Sequence, residues 1–439
     1  MGGSEHYLRL GACLVAAAML GSVIARPDSG SKFIASAGAL RKAPGPISMR
    51  ACEPGTLLKS PFADIEDILS VSPLGEATAP GEQLPAPAIR LNTKKGRTAF
   101  DRRMTAAFAP AKAEIVAIER RMIRDAEGGA AREAWTLRLA VCDDIILSYD
   151  DLDAIDPAIL MRAGGLKSFS EIGGPDHLAA ATSIRVRQGE HVASADGFDV
   201  TLEDRAATPA SLDRPERYQS NPYTEGAAIS APPAILEAIA SDWSRIECPL
   251  DYLSPSLAAD WKAKLGDAWG MRRAKGDDAC RTALVDQKGT AQGAWFTDAS
   301  HNGRTSKVSA IALAPDTIDP DRLIFALHGR VASLGPDMVG LNPMLEEERA
   351  AAAKDFLTFD AGEGRINTPF DRVKPGETYC YENLRANFVG PRINAVMLVK
   401  VEAGDAAPLM RVEARGDALS CIDLEEPWAF TAGETTFYR

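Results

Sequence analysis

The sequence predicts a mainly β protein: an antiparallel β-sheet or barrel with a few short helices, followed by a second β-sandwich-like domain. Two patterns carry this. Short segments such as Trp135 to Val141 (WTLRLAV) alternate apolar and polar residues, as strands do when one face is buried and the other wet. Turn formers punctuate these segments, with 36 Gly and 28 Pro in 439 residues. The composition, 46% hydrophobic and 25% charged, is that of a globular chain and excludes a disordered or collagen-like one. At roughly 100–200 residues per domain, two or three domains are expected.

The elements follow in order. Leu10 to Ile24 (LGACLVAAAMLGSVI) is apolar behind Arg9 and is followed by Arg26-Pro27. It falls short of the about 20 residues a bilayer span needs, so residues 1–25 predict a secretory signal, with an uncleaved anchor as the alternative. Residues 26–60, rich in Gly, Pro, Ser and Ala, predict a flexible linker. A first domain over 61–272 has strands at Glu114 to Met122, Trp135 to Val141, Ile145 to Tyr149 and Ile184 to Val192, the last around Gly189.

Three short helices interrupt those strands. Asp156-Pro157 caps the first, and Gly164-Gly165 stops it. The second spans Pro233 to Ile246, with Ile235, Ile239 and Trp243 four apart. Ser254-Pro255 opens the third, whose stripe of Leu257, Trp261, Leu265 and Trp269 predicts packing rather than ligand binding. Arg272 to Asp278 (RRAKGDD) predicts a polar hinge. The second domain, 279–439, has strands at Gln292 to Thr297, Val308 to Leu313, Leu323 to Leu327, Ala395 to Val401 and Met410 to Ala414, and an acidic helix near Met344 to Phe356.

Charge narrows the function classes. The net charge of −12, without a basic run to offset it, argues against nucleic acid and against an anionic membrane surface. Beyond the signal the cysteines are Cys52, Cys142, Cys248, Cys280, Cys380 and Cys421, with no Cys-x-x-Cys pair. An even set in an exported chain suggests disulfides, although six cysteines allow 15 pairings. Pairing within each domain suggests Cys142 with Cys248 and Cys380 with Cys421. His177, His191, His301 and His328 are scattered, without the spacing of a zinc site. No Gly-x-Ser-x-Gly elbow or phosphate-binding loop occurs. The acidic cluster of Asp143, Asp144, Asp150, Asp151, Asp153 and Asp156 lacks the Gly and closing Glu of a calcium loop and predicts a solvated edge and turn.

An ordered series of short motifs nevertheless resembles one family. It runs through Ile65 to Pro80 (IEDILSVSPLGEATAP), Phe108-Ala109-Pro110-Ala111, Glu114-Ile115-Val116, Tyr149-Asp150-Asp151-Leu152, Val186 to Val192 (VRQGEHV) and Cys248 to Tyr252 (CPLDY). Over residues 63–268 this is similar to the lysostaphin-like peptidoglycan metalloendopeptidases and their divergent exported bacterial relatives. The resemblance implies an antiparallel sheet with a groove at one end. It also implies a zinc site built from a His and an Asp on an early strand and the last His of a His-x-His pair, with a further His in a Tyr-x-His-Leu strand.

Here those imidazoles are replaced. The Tyr-x-His-Leu position holds Asp151, the His-x-His stretch reads Asp196-Gly197-Phe198-Asp199-Val200, and the early strand reads Gly81 to Pro87 with Glu82. Carboxylates alone do not reproduce a nitrogen-rich zinc site that activates water. The resemblance therefore implies a non-catalytic scaffold without metal or cofactor, with Glu82, Asp151, Phe198 and Asp199 at the vestigial groove. Its expected partner is a cell-wall fragment or an envelope protein, and its expected location is periplasmic or extracellular. Two alternatives stay open: a metal-dependent peptidoglycan hydrolase with a site rebuilt from His191, Asp196 and Asp199, and a purely structural envelope protein.

Overall fold

The computed structural model describes residues 33–36, 39–42, 52, 58–77, 86–94, 103–124, 131–142, 144–212, 214–215, 219–220, 231–276, 279–280, 286–299, 310–328, 355–386, 392–404 and 407–439. The expected signal, most of the expected linker, Glu82, Asp143, His301 and residues 344–354 lie outside them.

The first half begins with β1 (Phe33–Ser36), β2 (Ala39–Lys42), β3 (Ile68–Ser72), β4 (Ile89–Thr93), β5 (Thr105–Phe108), β6 (Ala113–Arg124), β7 (Ala131–Ala140) and β8 (Ile145–Leu152). It continues with β9 (Ala154–Ile155), β10 (Ser170–Glu171), β11 (His177–Val186), β12 (His191–Ala195), β13 (Phe198–Asp204), β14 (Gln219–Ser220), β15 (Ser241–Asp242) and β16 (Ile246–Glu247). The helices are α1 (Pro157–Arg162), α2 (Pro233–Ile239) and α3 (Pro255–Lys262).

A nine-stranded antiparallel sheet runs β10-β11-β6-β7-β8-β13-β4-β3, with β16 on β13. The alternation seen in the sequence sorts its two faces. Ile118, Leu137, Tyr149, Val200 and Leu91 point into a core shared with a small β5-β12-β9 sheet. Tyr149 ties the two together, its buried hydroxyl donating to the Phe108 carbonyl at 2.7 Å. On the outer face, α2 covers Ile172 and Ala179, and Ala240, just past its end, packs on Val116, Ala140 and Ile146.

The second half comprises β17 (Gly293–Phe296), β18 (Ala310–Pro315), β19 (Arg322–His328), β20 (Asp355–Asp360), β21 (Thr378–Tyr381), β22 (Arg385–Ala386), β23 (Val396–Glu402), β24 (Leu409–Arg415) and β25 (Thr435–Tyr438). The expected sandwich of two sheets is instead one continuous path, β21-β23-β24-β25-β17-β18-β19-β20-β22. Strands from both ends of that path feed a single core, in which Phe325 and Phe359 stack on each other and meet Phe370 and Tyr381 at their edges, so the sheet curls around it.

Ser31–Arg439 make one unit, and the halves are joined directly. The segment expected to be a hinge is pinned: Arg272 pairs with the fully buried Asp316, and the Lys275 ammonium lies 2.8 Å from Asp319.

Several boundaries depart from the sequence reading. The second helix stops at Ile239, not Ile246. Ala240 is extended, Ser241–Asp242 pair with β14, and the Asp242 carboxylate accepts from the Ser244 amide at 3.0 Å to cap a fresh turn. The third ends at Lys262, so Trp269 leaves the stripe and is 65% exposed. Ile184 to Val192 splits at the Gly189 turn, where φ is +73°, and its two parts join different sheets. Asp355 and Phe356 open β20 instead of closing a helix.

The disulfides are Cys52–Cys142, Cys248–Cys280 and Cys380–Cys421. The third is as expected, but Cys142 and Cys248 are not joined. Each pairs with a cysteine outside the expected domain, at Cα separations of 5.5 and 5.6 Å that fit a disulfide.

Candidate functional site

Beyond α2, the outer face of the first sheet carries a charged strip that crosses six neighbouring strands: β4, β13, β8, β7, β6 and β11. It forms because alternation puts Arg90, Asp199, Asp150, Thr136 and Glu119 on the wet face while their neighbours Leu91, Phe198, Tyr149, Leu137 and Ile118 fill the core. Gly197 sets the entry to β13. Its φ is +84°, and a Cβ there would lie 2.8 Å from the Leu91 carbonyl oxygen, so a side chain would disturb the turn that delivers Asp199.

A bulge adds Asp151 to the strip. Between the pairs Trp135↔Leu152 and Leu137↔Tyr149, Asp150 and Asp151 face the single residue Thr136. Asp151 takes up the extra residue with a φ of +62°. In a regular strand it would point away from Asp150; here both serve one face.

Arg90 is the centre of the strip. Its guanidinium donates to Asp199 Oδ1 and to Asp151 Oδ2, each at 3.0 Å, and Arg132 donates to the other Asp151 oxygen. The charge of Asp199, against burial and with help from Asp151, pushes the Arg90 pKa further above its ordinary value. Asp150 accepts from the Thr136 hydroxyl at 2.7 Å and lies 4.0 Å from Arg121. Burial pushes its carboxyl up, outweighing Arg121 and Thr136. Farther along, Glu119 lies 2.9 Å from His177 Nε2. Burial would raise the Glu119 carboxyl, but the hydrogen bond and charge of His177 together with Arg121 and Arg138 hold it below the usual range.

The strip brings together Asp151 and Asp199 but not Phe198. Phe198 is fully buried beneath it, with its ring centroid 5.3 Å from that of Tyr149, because adjacent strand residues face opposite ways. The members of the rebuilt trio each engage a different partner. His191 Nδ1 lies 2.9 Å from Asp156, Asp196 accepts from the Thr93 hydroxyl at 2.7 Å, and Asp199 belongs to Arg90. Among the described residues, no group of three or more His, Cys, Asp or Glu side chains is placed to hold a metal ion.

The acidic cluster is likewise divided. Asp153 accepts from the Asp196 amide, and Asp156 caps α1 through the Ala158 amide. The sequence reading missed Arg90, Arg132 and Thr136. The alternating Ile89 to Thr93 (IRLNT) signals the wet face for Arg90, but nothing local names its partners.

No protein-family model, curated protein or solved structure matches the chain.

Proposed function

We propose that the chain is an exported, non-catalytic binding protein on a lysostaphin-like scaffold, and that the charged strip receives an extended cell-wall peptide. The observation that carries this reading is the Arg90 clamp. A guanidinium occupies the space between the two carboxylates, 3.0 Å from each, where a divalent ion would meet a fixed positive charge. Asp151 and Asp199 are held as an ion-paired recognition surface rather than as open ligands.

The dimensions agree. Neighbouring strands lie about 4.8 Å apart, so six of them give a strip roughly 24 Å long, enough for about seven residues of extended peptide. Its charges are of both signs, with Arg90 and Arg121 flanking the neighbouring acids Asp199 and Asp150 and Glu119 beyond them, and suit a ligand bearing both amines and carboxylates better than a neutral glycan. The three disulfides fit an oxidising compartment.

Calorimetry with soluble cell-wall peptide fragments tests the reading. Saturable binding is expected, weakened about tenfold by Arg90→Ala, the equivalent of about 1.4 kcal/mol. Failure to bind more than a sequence-scrambled peptide overturns it. So does stoichiometric zinc in the purified protein together with wall digestion that a chelator abolishes.

A further inference from the structure

We propose that a pocket on the second sheet, remote in sequence from the strip, binds a phosphate group. The pocket encloses about 390 Å³ and is lined by three guanidinium groups, Arg322, Arg385 and Arg392, and by one carboxylate, Asp360. That volume is within the range of small-ligand sites.

The topology gathers these residues. Arg322 pairs with Asp360 across β19 and β20, and Thr358 pairs with Arg385 across β20 and β22. The two-residue period of β20 puts Thr358 and Asp360 on one face, while Leu357 and Phe359 belong to the core on the other. Asn383, with φ +59°, turns the chain into β22, and a backbone bridge from Arg385 to Arg392 brings in the third arginine.

Two independent features point to an oxyanion. The lining residues themselves sum to +2, three arginines against Asp360, in a protein whose own net charge is −12; Arg322 Nε also lies 3.9 Å from Asp319, outside the pocket. A phosphomonoester carries about −1.5 to −2 at neutral pH and so balances the lining, whereas a single carboxylate leaves it half compensated. The planar fork of arginine also matches phosphate oxygens in pairs.

The second feature is Thr358. Its side chain is part of the pocket wall and is 2% exposed, and its hydroxyl has no hydrogen-bond partner. Buried hydroxyls in native proteins are rarely left unpaired, and one beside an arginine cluster marks a donor waiting for an acceptor. The phosphate could be free, attached to a small soluble molecule, or part of a lipid headgroup; the oxygen chemistry is shared.

Calorimetric titration of the full chain with inorganic phosphate in low-salt buffer tests the proposal, with acetate as the monoanionic comparison. One phosphate per chain is expected, with acetate binding at least tenfold more weakly. The Arg385→Ala/Arg392→Ala pair, at two exposed positions, should weaken phosphate at least tenfold without lowering the melting temperature. Thr358→Val, which keeps the shape and removes the unpaired hydroxyl, should weaken phosphate severalfold while the melting temperature holds or rises. Equal affinity for phosphate in wild type and the double variant, or no binding in either, overturns the site. Co-sedimentation with vesicles containing phosphatidic acid, absent with phosphatidylcholine alone, assigns the phosphate to a lipid. Phosphate binding without co-sedimentation assigns it to a soluble molecule.

Discussion

Asp150 and Asp151 are adjacent in the chain, yet one bulge gives them different neighbours and different electrostatics. Asp150 is held by Thr136 and lies near Arg121, but burial still raises its pKa. A raised carboxyl contributes stability that is complete below its unfolded value, about 3.9, and is lost as pH rises through the folded value. Asp150→Asn keeps an acceptor for Thr136 and removes that loss. The variant should therefore unfold at higher urea than wild type at pH 7, with the advantage shrinking toward pH 4. A variant less stable than wild type at pH 7 would show that the negative charge on Asp150 is net favourable. The sequence exposed the acids but not their cations. Arg90 meets Asp151 and Asp199 from 61 and 109 positions away, and alternation specifies a face, not a partner.

At the scale of elements, α2 is held to the sheet partly by charge in a dry place. Arg138 donates to the Ile239 carbonyl at the end of the helix and pairs with Glu203 at 3.4 Å, with side-chain exposures of 4% and 5%. Arg205 Nε lies 3.2 Å from the same carboxylate. Glu203→Ala leaves both guanidinium groups without that carboxylate and is expected to cost about 3–5 kcal/mol. Hydrogen exchange should speed up first in α2; a loss below about 1 kcal/mol, the level of an exposed pair, would contradict the assignment. The sequence marked β6, β7 and β8 by alternation or a short buried run, and β17, β18, β19, β23 and β24 in the second half by apolar runs. It did not mark β3, β4, β5, β13, β20 or β25. Helix ends were also hard to read. Ile235, Ile239 and Trp243 continue a helical spacing, but Asp242 offers the Ser244 amide a better partner and the chain turns.

For the whole molecule, the β-rich character was legible in the sequence, but the covalent map was not. Alternation carries no information on which cysteines approach each other, so the assumption of pairing within domains succeeded for Cys380–Cys421 and failed for Cys142. The bridges close loops of 90, 41 and 32 residues for Cys52–Cys142, Cys380–Cys421 and Cys248–Cys280. The chain-entropy model gives about 4.6 kcal/mol for the longest and about 3.7 kcal/mol for the shortest. Double Cys→Ser replacements, followed by chemical unfolding, should therefore be most damaging at Cys52–Cys142. Peptide mapping without reductant should recover these three linkages, and a Cys142–Cys248 peptide would refute the arrangement.

The bridge from Cys248 to Cys280 also has a bearing on how the protein withstands proteolysis. It straddles the stretch that leads from one curled sheet to the other, where Trp269 and Met271 stand 65% and 77% exposed and invite a protease. A cut there breaks the backbone but frees nothing: both fragments stay fastened by sulfur, and the nicked form travels as a single particle until a reductant reaches it.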